Sequence, residues 1–392
     1  MFKSVSRNNR LFMLGNFLFA LSYGLWMNLR QIHLLDLGAS PAEIGNVFAL
    51  VSIAGGLLPL PAGILSDRIG PKRVIITSWL VAAAGTLTAT LAQTWPLASA
   101  GFIIFMLCIA ANPATVSYVL LNTTDLERES SAEGVMATVF ASWPAAMIFA
   151  PALGGLIAER LSIRVDLWIG VAGLLAAVGI FALADDTQPK TVTERLTLEL
   201  LTGNRQFLKL AIFFPLALAA FYLGYALAPT FLEDTRGFST SFIGLLFSLS
   251  SVGALLFRSV VIKFEPRLSF AILVSAICLG TAGLWHAGGP AWNSLAFLLL
   301  GAISTSWVVM QASIGRSVAE PLRGMALGIS ESLYFIGIAL ASWLAGQLYG
   351  LTPTHDLPLI LGSLAMLVIL ALWMVVPLND QLSSAKRKVQ NV

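Results

Sequence analysis

Two charged residues stand inside long apolar runs, where a charge could do chemistry. They are Arg30 and Glu331. An ionised side chain at the centre of a membrane helix costs about 2.5–3.5 kcal/mol on insertion scales, so such groups persist where they face a cavity or a partner. A carboxylate in a low-dielectric cavity can carry a proton. Glu331 is therefore the candidate for proton coupling.

Glu331 has a structural alternative, and Arg30 has a possible binding role. Glu331 could instead be the ion-pair partner of Arg30 or Arg258, and Arg258 could simply extend towards the membrane surface. Tyr334 follows Glu331 by three residues, close enough along a helix for a hydrogen bond to the carboxyl group. Arg30 could bind an anionic substrate through its two-pronged guanidinium group.

Polar residues also recur at helical spacing on four apolar runs. On the first run, Asn16, Tyr23 and Arg30 follow one another every seven residues and share a helix face. Similar faces occur on three later runs. Any one of these faces could reflect ordinary hydrogen bonding between helices, worth about 0.6 kcal/mol per contact. The polar residues singled out on these faces and beside Glu331 are Asn16, Tyr23, Arg30, Asn112, Thr115, Tyr222, Tyr225, Trp307, Gln311 and Tyr334.

The composition indicates a membrane protein. The chain has 392 residues, of which 57% are hydrophobic and 11% charged, whereas soluble domains carry about 25% charged residues. Most of the chain must therefore face lipid or other helices. The net charge of +3 does not indicate a nucleic-acid partner. The sequence contains neither a nucleotide-binding glycine loop nor a His/Cys metal cluster, so we expect no cofactor.

Twelve segments are long and apolar enough to cross a membrane, each about 20 residues in length. They divide into an N-terminal half at residues 1–184, a linker at 185–207, a C-terminal half at 208–378 and a tail at 379–392. The predicted spans are 11–35, 41–65, 74–94, 97–122, 134–158, 166–184, 208–232, 240–263, 268–287, 292–315, 323–349 and 357–377.

The two halves repeat one another in sequence. Residues match in order across the first pair of spans in each half, for example Tyr23 with Tyr222 and Gly45 with Gly244.

Basic residues also divide unevenly between the loops. All but four of the 23 Lys and Arg residues fall on the side of the termini, so the positive-inside rule predicts that both termini are cytoplasmic.

A charged turn with two glycines separates the second and third spans. It runs from Gly63 through Arg73 and resembles the G-x-L-x-D-R-x-G-x-(K/R)-(K/R) motif of the major facilitator superfamily, with Pro71 at a position that is often basic. The gating residues implied by this resemblance are Gly63, Asp67, Arg68, Gly70 and Arg73.

The resemblance implies an all-α membrane protein with twelve transmembrane helices in two pseudo-symmetric six-helix halves. It also implies that the first, fourth, seventh and tenth helices line a central cavity, so the four polar faces would form its wall and the ten polar residues singled out above are the candidate substrate-binding residues. Asp67 would lie near the start of the eleventh helix, at residues 322–324, where backbone N–H groups favour an anion.

A second motif indicates the direction of transport. The fifth span contains Ala150-Pro151-Ala152-Leu153-Gly154-Gly155, which is similar to the G-P-x-x-G-G motif of proton-driven exporters. We therefore expect a transporter of the cell membrane, not an enzyme, that acts as a monomer and exports a small organic solute in exchange for protons. Two alternatives are proton-linked uptake of an organic anion and flipping of a lipid or lysolipid. A membrane enzyme or sensor is a further, remote alternative.

Overall fold

The computed structural model describes residues 5–123, 132–186, 199–286, 288–319 and 322–375. Within these ranges the chain is helical, without β-strands, and it forms two six-helix halves. In the described part of the chain, eleven helices are long and apolar enough to span a membrane, and the shorter apolar helix Pro41–Leu57 continues as Pro59–Ile69. The twelve predicted spans are thereby confirmed.

We number these spans in chain order. They are α1 (Arg7–Asp36), α2 (Pro41–Leu57 with Pro59–Ile69), α3 (Pro71–Leu91), α4 (Trp95–Leu121), α5 (Met136–Arg160), α6 (Ile163–Ala182), α7 (Arg205–Thr235), α8 (Thr240–Val261), α9 (Pro266–His286), α10 (Pro290–Ser317), α11 (Arg323–Tyr349) and α12 (Leu357–Val375). We call the side of the bundle that holds Arg7 and the α2–α3 turn the near end. The side that holds the α1–α2 turn is the far end.

Local sequence signals set the helix boundaries. Ser40 caps α2 through a capping box, in which its side chain accepts from the Glu43 N–H and the Glu43 carboxylate accepts from the Ser40 N–H. The turn between α2 and α3 passes through Gly70, whose φ of 91° favours glycine. Pro71 then opens α3 at its first position, where the missing N–H has no intrahelical acceptor to satisfy.

The four helices predicted to line a cavity are all interrupted. Regular helix stops in α1 at Trp26 and resumes at Arg30, and in α7 it stops at the equivalent residue, Tyr225. A 3₁₀ turn at Leu107–Ala110 interrupts α4, and Gly301 interrupts α10. Any backbone polar group that such a break frees inside a membrane needs a protein partner or a water-filled cavity.

Aromatic side chains form the core of each half. In the N-terminal half, the Phe181 ring centroid lies 5.6 Å from Phe12 and 5.5 Å from Trp79. In the C-terminal half, Trp373 lies 4.6 Å from Phe270. These rings are almost completely buried. Such packing gives each half its own rigid core, because large aromatic side chains dominate core energetics.

Basic residues fasten the near end of the N-terminal half. Arg73 pairs with Asp186 at 3.2 Å, and Arg7 pairs with Asp185 at 3.6 Å. Lys72 donates to the Ala182 carbonyl at 2.9 Å, where the carbonyl end of α6 favours a cation. These contacts tie the α2–α3 turn to the end of α6. Most of the predicted linker at 185–207 and the whole predicted tail at 379–392 lie outside the described residues.

Candidate substrate cavity

Three cavities adjoin one another in the middle of the bundle, and Tyr23 lines all of them. The N-half cavity has a volume of about 340 Å³, the interface cavity about 570 Å³ and the central cavity about 300 Å³. The N-half cavity is lined by Asn16, Phe19, Tyr23, Trp79, Phe105, Met106, Cys108, Ile109, Ala111, Asn112, Thr115, Phe140 and Trp143. The interface cavity lies between α5 and α8, and the central cavity lies between the two halves.

Arg30 lines the central cavity from the point where α1 resumes after its interruption. Its guanidinium carbon lies 4.5 Å from the ring centroid of Phe48, a cation–π contact. No described carboxylate pairs with Arg30, and its Nε atom is buried without a hydrogen-bond partner. Tyr222 and Tyr225 line the same cavity from α7. The cavity therefore holds a cation whose charge is not neutralised by any described side chain.

Glu331 meets the opposite half of the bundle. The Asn112 side-chain amide on α4 donates to Glu331 Oε1 on α11 at 3.4 Å. Neither Arg30 nor Arg258 forms an ion pair with Glu331, so the structural alternative considered from the sequence does not describe this conformation. The Glu331–Asn112 contact crosses between the halves and responds to any movement that separates α4 from α11.

Seven of the ten predicted binding residues line these cavities. Asn16, Tyr23, Asn112 and Thr115 line the N-half cavity, whereas Arg30 lines the central cavity together with Tyr222 and Tyr225. The remaining three are not among the lining residues of these cavities. They are Trp307, Gln311 and Tyr334.

The hydrogen bond expected between Tyr334 and Glu331 is not formed. The Tyr334 hydroxyl is buried without a partner, and its ring packs edge-on against Trp307 with centroids 5.0 Å apart. The expectation was wrong because helical spacing fixes which residues are neighbours but not the direction in which a ring turns. Here aromatic packing directs the ring of Tyr334 into the core of the C-terminal half.

At the far end, the two halves meet through pairs of glycines. A Cβ added at Gly45 would lie 2.7 Å from the Gly346 Cα. A Cβ added at Gly155 would lie 2.3 Å from the Thr240 carbonyl oxygen and 3.1 Å from the Gly244 Cα. Small residues permit such close approach of membrane helices. Gly154 and Gly155 of the fifth-span motif therefore belong to packed contacts, of which Gly155 faces the other half.

Hydrogen bonds reinforce this far-end contact. Gln31 donates to the Ala226 carbonyl, which the interruption of α7 leaves free, and it accepts from Thr230 at 3.3 Å. Glu159 of the N-terminal half accepts from the Ser241 N–H at 3.1 Å, in the first turn of α8. The Gln31 and Glu159 side chains each bond a backbone group of the other half, and the Thr230 hydroxyl adds a bond between side chains. The bundle is closed at the far end.

The structure describes part of the motif at residues 63–73. Gly63 lies in the helix Pro59–Ile69, Arg68 is exposed, and Arg73 pairs with Asp186. The side chain of Asp67 lies outside the described residues. Its expected position beside the start of α11 therefore stays a prediction.

Several cavity residues escaped the sequence reasoning. Phe105 and Trp143 line the N-half cavity, and Phe48 packs against the guanidinium group of Arg30. An aromatic residue inside an apolar span carries no signal that separates core packing from a cavity wall. Gln31 carried a usable signal, because an amide in a membrane helix needs a partner.

The family model described as Major Facilitator Superfamily matches residues 12–307. The chain belongs to this family. Membership implies that it is a multi-pass membrane protein that moves a solute by secondary transport.

A curated relative and two solved structures show how far this likeness extends. The inner membrane transport protein YajR of Escherichia coli (strain K12) is 26% identical over 337 residues, covering 80% of this chain and 71% of YajR. The nucleoside transporter NupG superimposes with a TM-score of 0.75 at 19% identity, covering 94% and 98% of the two chains. The human organic anion transporter MFSD10 superimposes with a TM-score of 0.68 at 15% identity, covering 94% of this chain and 99% of MFSD10. At these low sequence identities, the likeness to the two solved structures shows that the fold is shared and nothing more.

Proposed function

We propose that this chain is a proton-coupled transporter of a small organic anion, working as a monomer because one chain supplies both halves of the central cavity. The observation that carries the proposal is the guanidinium group of Arg30. A cation inside a membrane protein is costly without a counter-ion. The central cavity places an aromatic ring and tyrosines around this cation, but no described carboxylate pairs with it. An anionic substrate would complete the site.

The predicted orientation gives this conformation a direction. Basic residues concentrate at the near end, which the positive-inside rule places in the cytoplasm. The closed far end would then face the outside. Alternating access requires the far-end contacts to separate while the near end closes.

The contact between Glu331 and Asn112 supplies a coupling site for the proton. An ionised carboxylate accepts a stronger hydrogen bond than a neutral acid does. Protonation of Glu331 would therefore weaken a contact that joins α4 to α11 and would favour a conformation in which these helices separate. Because the proton would bind the two conformations with different affinities, its binding would shift the equilibrium between them.

The anion site is tested by conservative replacement of Arg30. We expect Arg30→Lys to weaken the binding of organic anions, because the forked guanidinium becomes a point charge, and to leave neutral or cationic ligands unaffected. Arg160→Lys, at the exposed end of α5, is the matched control. Binding is measured calorimetrically on purified protein. Equal losses for every ligand would assign Arg30 a structural role.

The coupling site is tested in reconstituted vesicles. We expect Glu331→Gln, which imitates the neutral acid, to abolish accumulation driven by a pH gradient while passive exchange continues. Glu265→Gln is the control, because Glu265 is exposed in the α8–α9 connection. Accumulation by Glu331→Gln at the wild-type rate would exclude Glu331 from the coupling mechanism.

Proton-driven export of drugs or metabolites is the second candidate function. It is favoured by the fifth-span motif, whose Gly155 packs against α8 at the far-end contact. The two candidates predict opposite results for Arg30→Lys. Preserved binding of cationic compounds, together with no affinity for anions in the wild-type protein, would favour drug export.

A further inference from the structure

The N-half cavity is surrounded by aromatic rings that the transport proposal does not yet use. Six of its lining residues are aromatic, contributed by α1, α3, α4 and α5. We propose that this cavity is a binding subsite for a flat aromatic group, and that the transported anion carries such a group. This inference deepens the proposed function and rests on it for the anionic part of the ligand.

The ring planes form a nearly continuous aromatic wall. The rings of Tyr23 and Phe105 lie 5.0 Å apart at an interplanar angle of 14°. Phe19 lies 6.2 Å from Phe105 at 28°, and Trp143 lies 6.1 Å from Phe19 at 33°. Aromatic groups prefer offset-stacked or edge-to-face arrangements. A wall of roughly parallel rings beside an open volume of about 340 Å³ favours a flat guest over a branched aliphatic one.

Polar groups border one side of the same cavity. The Asn16 side-chain amide donates to the Ser142 hydroxyl at 2.8 Å, which fixes its orientation. The Thr115 hydroxyl donates to the Asn112 carbonyl at 2.7 Å. An apolar pocket with a few fixed polar groups is the usual form of a small-molecule site, in which the polar groups set orientation. The ring that fits here would carry polar atoms at its edge.

The cavity communicates with the cation. Tyr23 and Met106 line both the N-half cavity and the central cavity, where Arg30 lies. Tyr23 and Arg30 are seven residues apart along α1, a separation of roughly 10 Å at 1.5 Å per residue. The ligand class that reaches both sites is an aromatic ring joined through a short spacer to a carboxylate or another anionic group.

Three probes separate the two parts of this ligand. Indole-3-butyrate has a ring and an anion, octanoate has an anion without a ring, and indole has a ring without an anion. Binding to the full-length purified protein is measured by calorimetry. We expect indole-3-butyrate to bind at least tenfold more tightly than either of the other probes.

Variants at Phe140 test the ring subsite. Phe140 lines the cavity, whereas Phe149, nine residues further along α5, is 60% exposed and serves as the matched control. Loss of one aromatic ring from the cavity lining should weaken binding of indole-3-butyrate roughly three- to tenfold in Phe140→Leu. Phe140→Tyr, which keeps the ring, and Phe149→Leu should leave that binding unchanged, and octanoate should bind all variants alike.

The outcomes separate this inference from the transport proposal. Equal binding of indole-3-butyrate and octanoate, or an equal loss of both in Phe140→Leu, would overturn the aromatic subsite, even if Arg30→Gln weakens both anions. Binding that depends on Phe140 but not on Arg30 would overturn anion transport and leave the ring subsite intact. Binding of none of the three probes at millimolar concentration would overturn the inference. If Phe140→Leu does not fold, Trp143→Leu replaces it, with the exposed Trp168→Leu as control.

Discussion

A single methyl group at the far-end contact should open the transporter. In Gly155→Ala the new Cβ would lie 2.3 Å from the Thr240 carbonyl oxygen, a backbone atom that cannot rotate away. The two halves must therefore separate locally or strain their helices. Overpacking of this kind costs about 1–3 kcal/mol, and the whole cost falls on the conformation in which the far end is closed.

This cost converts directly into a change of populations. If the far-end-open state is in the minority, destabilising its competitor by about 1–3 kcal/mol raises its population roughly five- to 150-fold. The far-end contact at Gly45 is separate, so Gly45→Ala should act in the same direction. When both substitutions are combined, their free-energy effects should add, because distant and independent sites are additive.

Cysteine labelling from the two sides of the membrane measures the effect. Ser304 is exposed and lines both the central and interface cavities, so Ser304→Cys is a suitable reporter after the two native cysteines are replaced by serine. We expect an impermeant maleimide on the far side to label Gly155→Ala at least five times faster than the parent protein. Gly179→Ala is the control, because its Cβ would meet nothing within 4 Å. Identical labelling of the two folded variants would refute the reasoning.

Further predictions concern stability and gating. Phe181→Ala should destabilise the fold by about 3–5 kcal/mol, since it removes a completely buried ring, which thermal unfolding in detergent would reveal. Arg73→Gln should cost no more than about 1 kcal/mol, because its ion pair with Asp186 is largely exposed to solvent; a loss comparable to that of Phe181→Ala would contradict this. Asp67→Asn should shift labelling of the same reporter towards the near side, and unchanged labelling would remove Asp67 from the gate.

The spans were predictable because the bilayer imposes a length and a composition on them. The interruptions within the helices were harder to predict from the sequence. Gly301 and Pro229 mark the breaks in α10 and α7 with residues that weaken a helix. The break after Trp26 falls at Met27–Leu29, where the residue types carry no such signal. This break depends on how α1 packs against the rest of the bundle, which the local sequence does not specify.

The polar residues of the site were predictable because polar side chains are rare inside a membrane. Arg30, Asn16 and Asn112 stand out in an apolar sequence, and all three line cavities. The orientation of Tyr334 depends on tertiary packing, which spacing along one helix does not specify. Trp143 contributes to a cavity wall from α5, and no feature of its local sequence distinguishes it from a core residue.

The bond from Gln31 to the Ala226 carbonyl makes opening of the far end a hydration step. Both groups lie in the far-end contact and lose their partner when the halves separate. Unsatisfied polar groups inside a membrane cost several kcal/mol each, so water must take their place as the contact opens. Solutes that are excluded from protein surfaces oppose the hydration of newly exposed groups. Osmotic conditions should therefore bias the transport cycle, with concentrated excluded solutes favouring the closed far end.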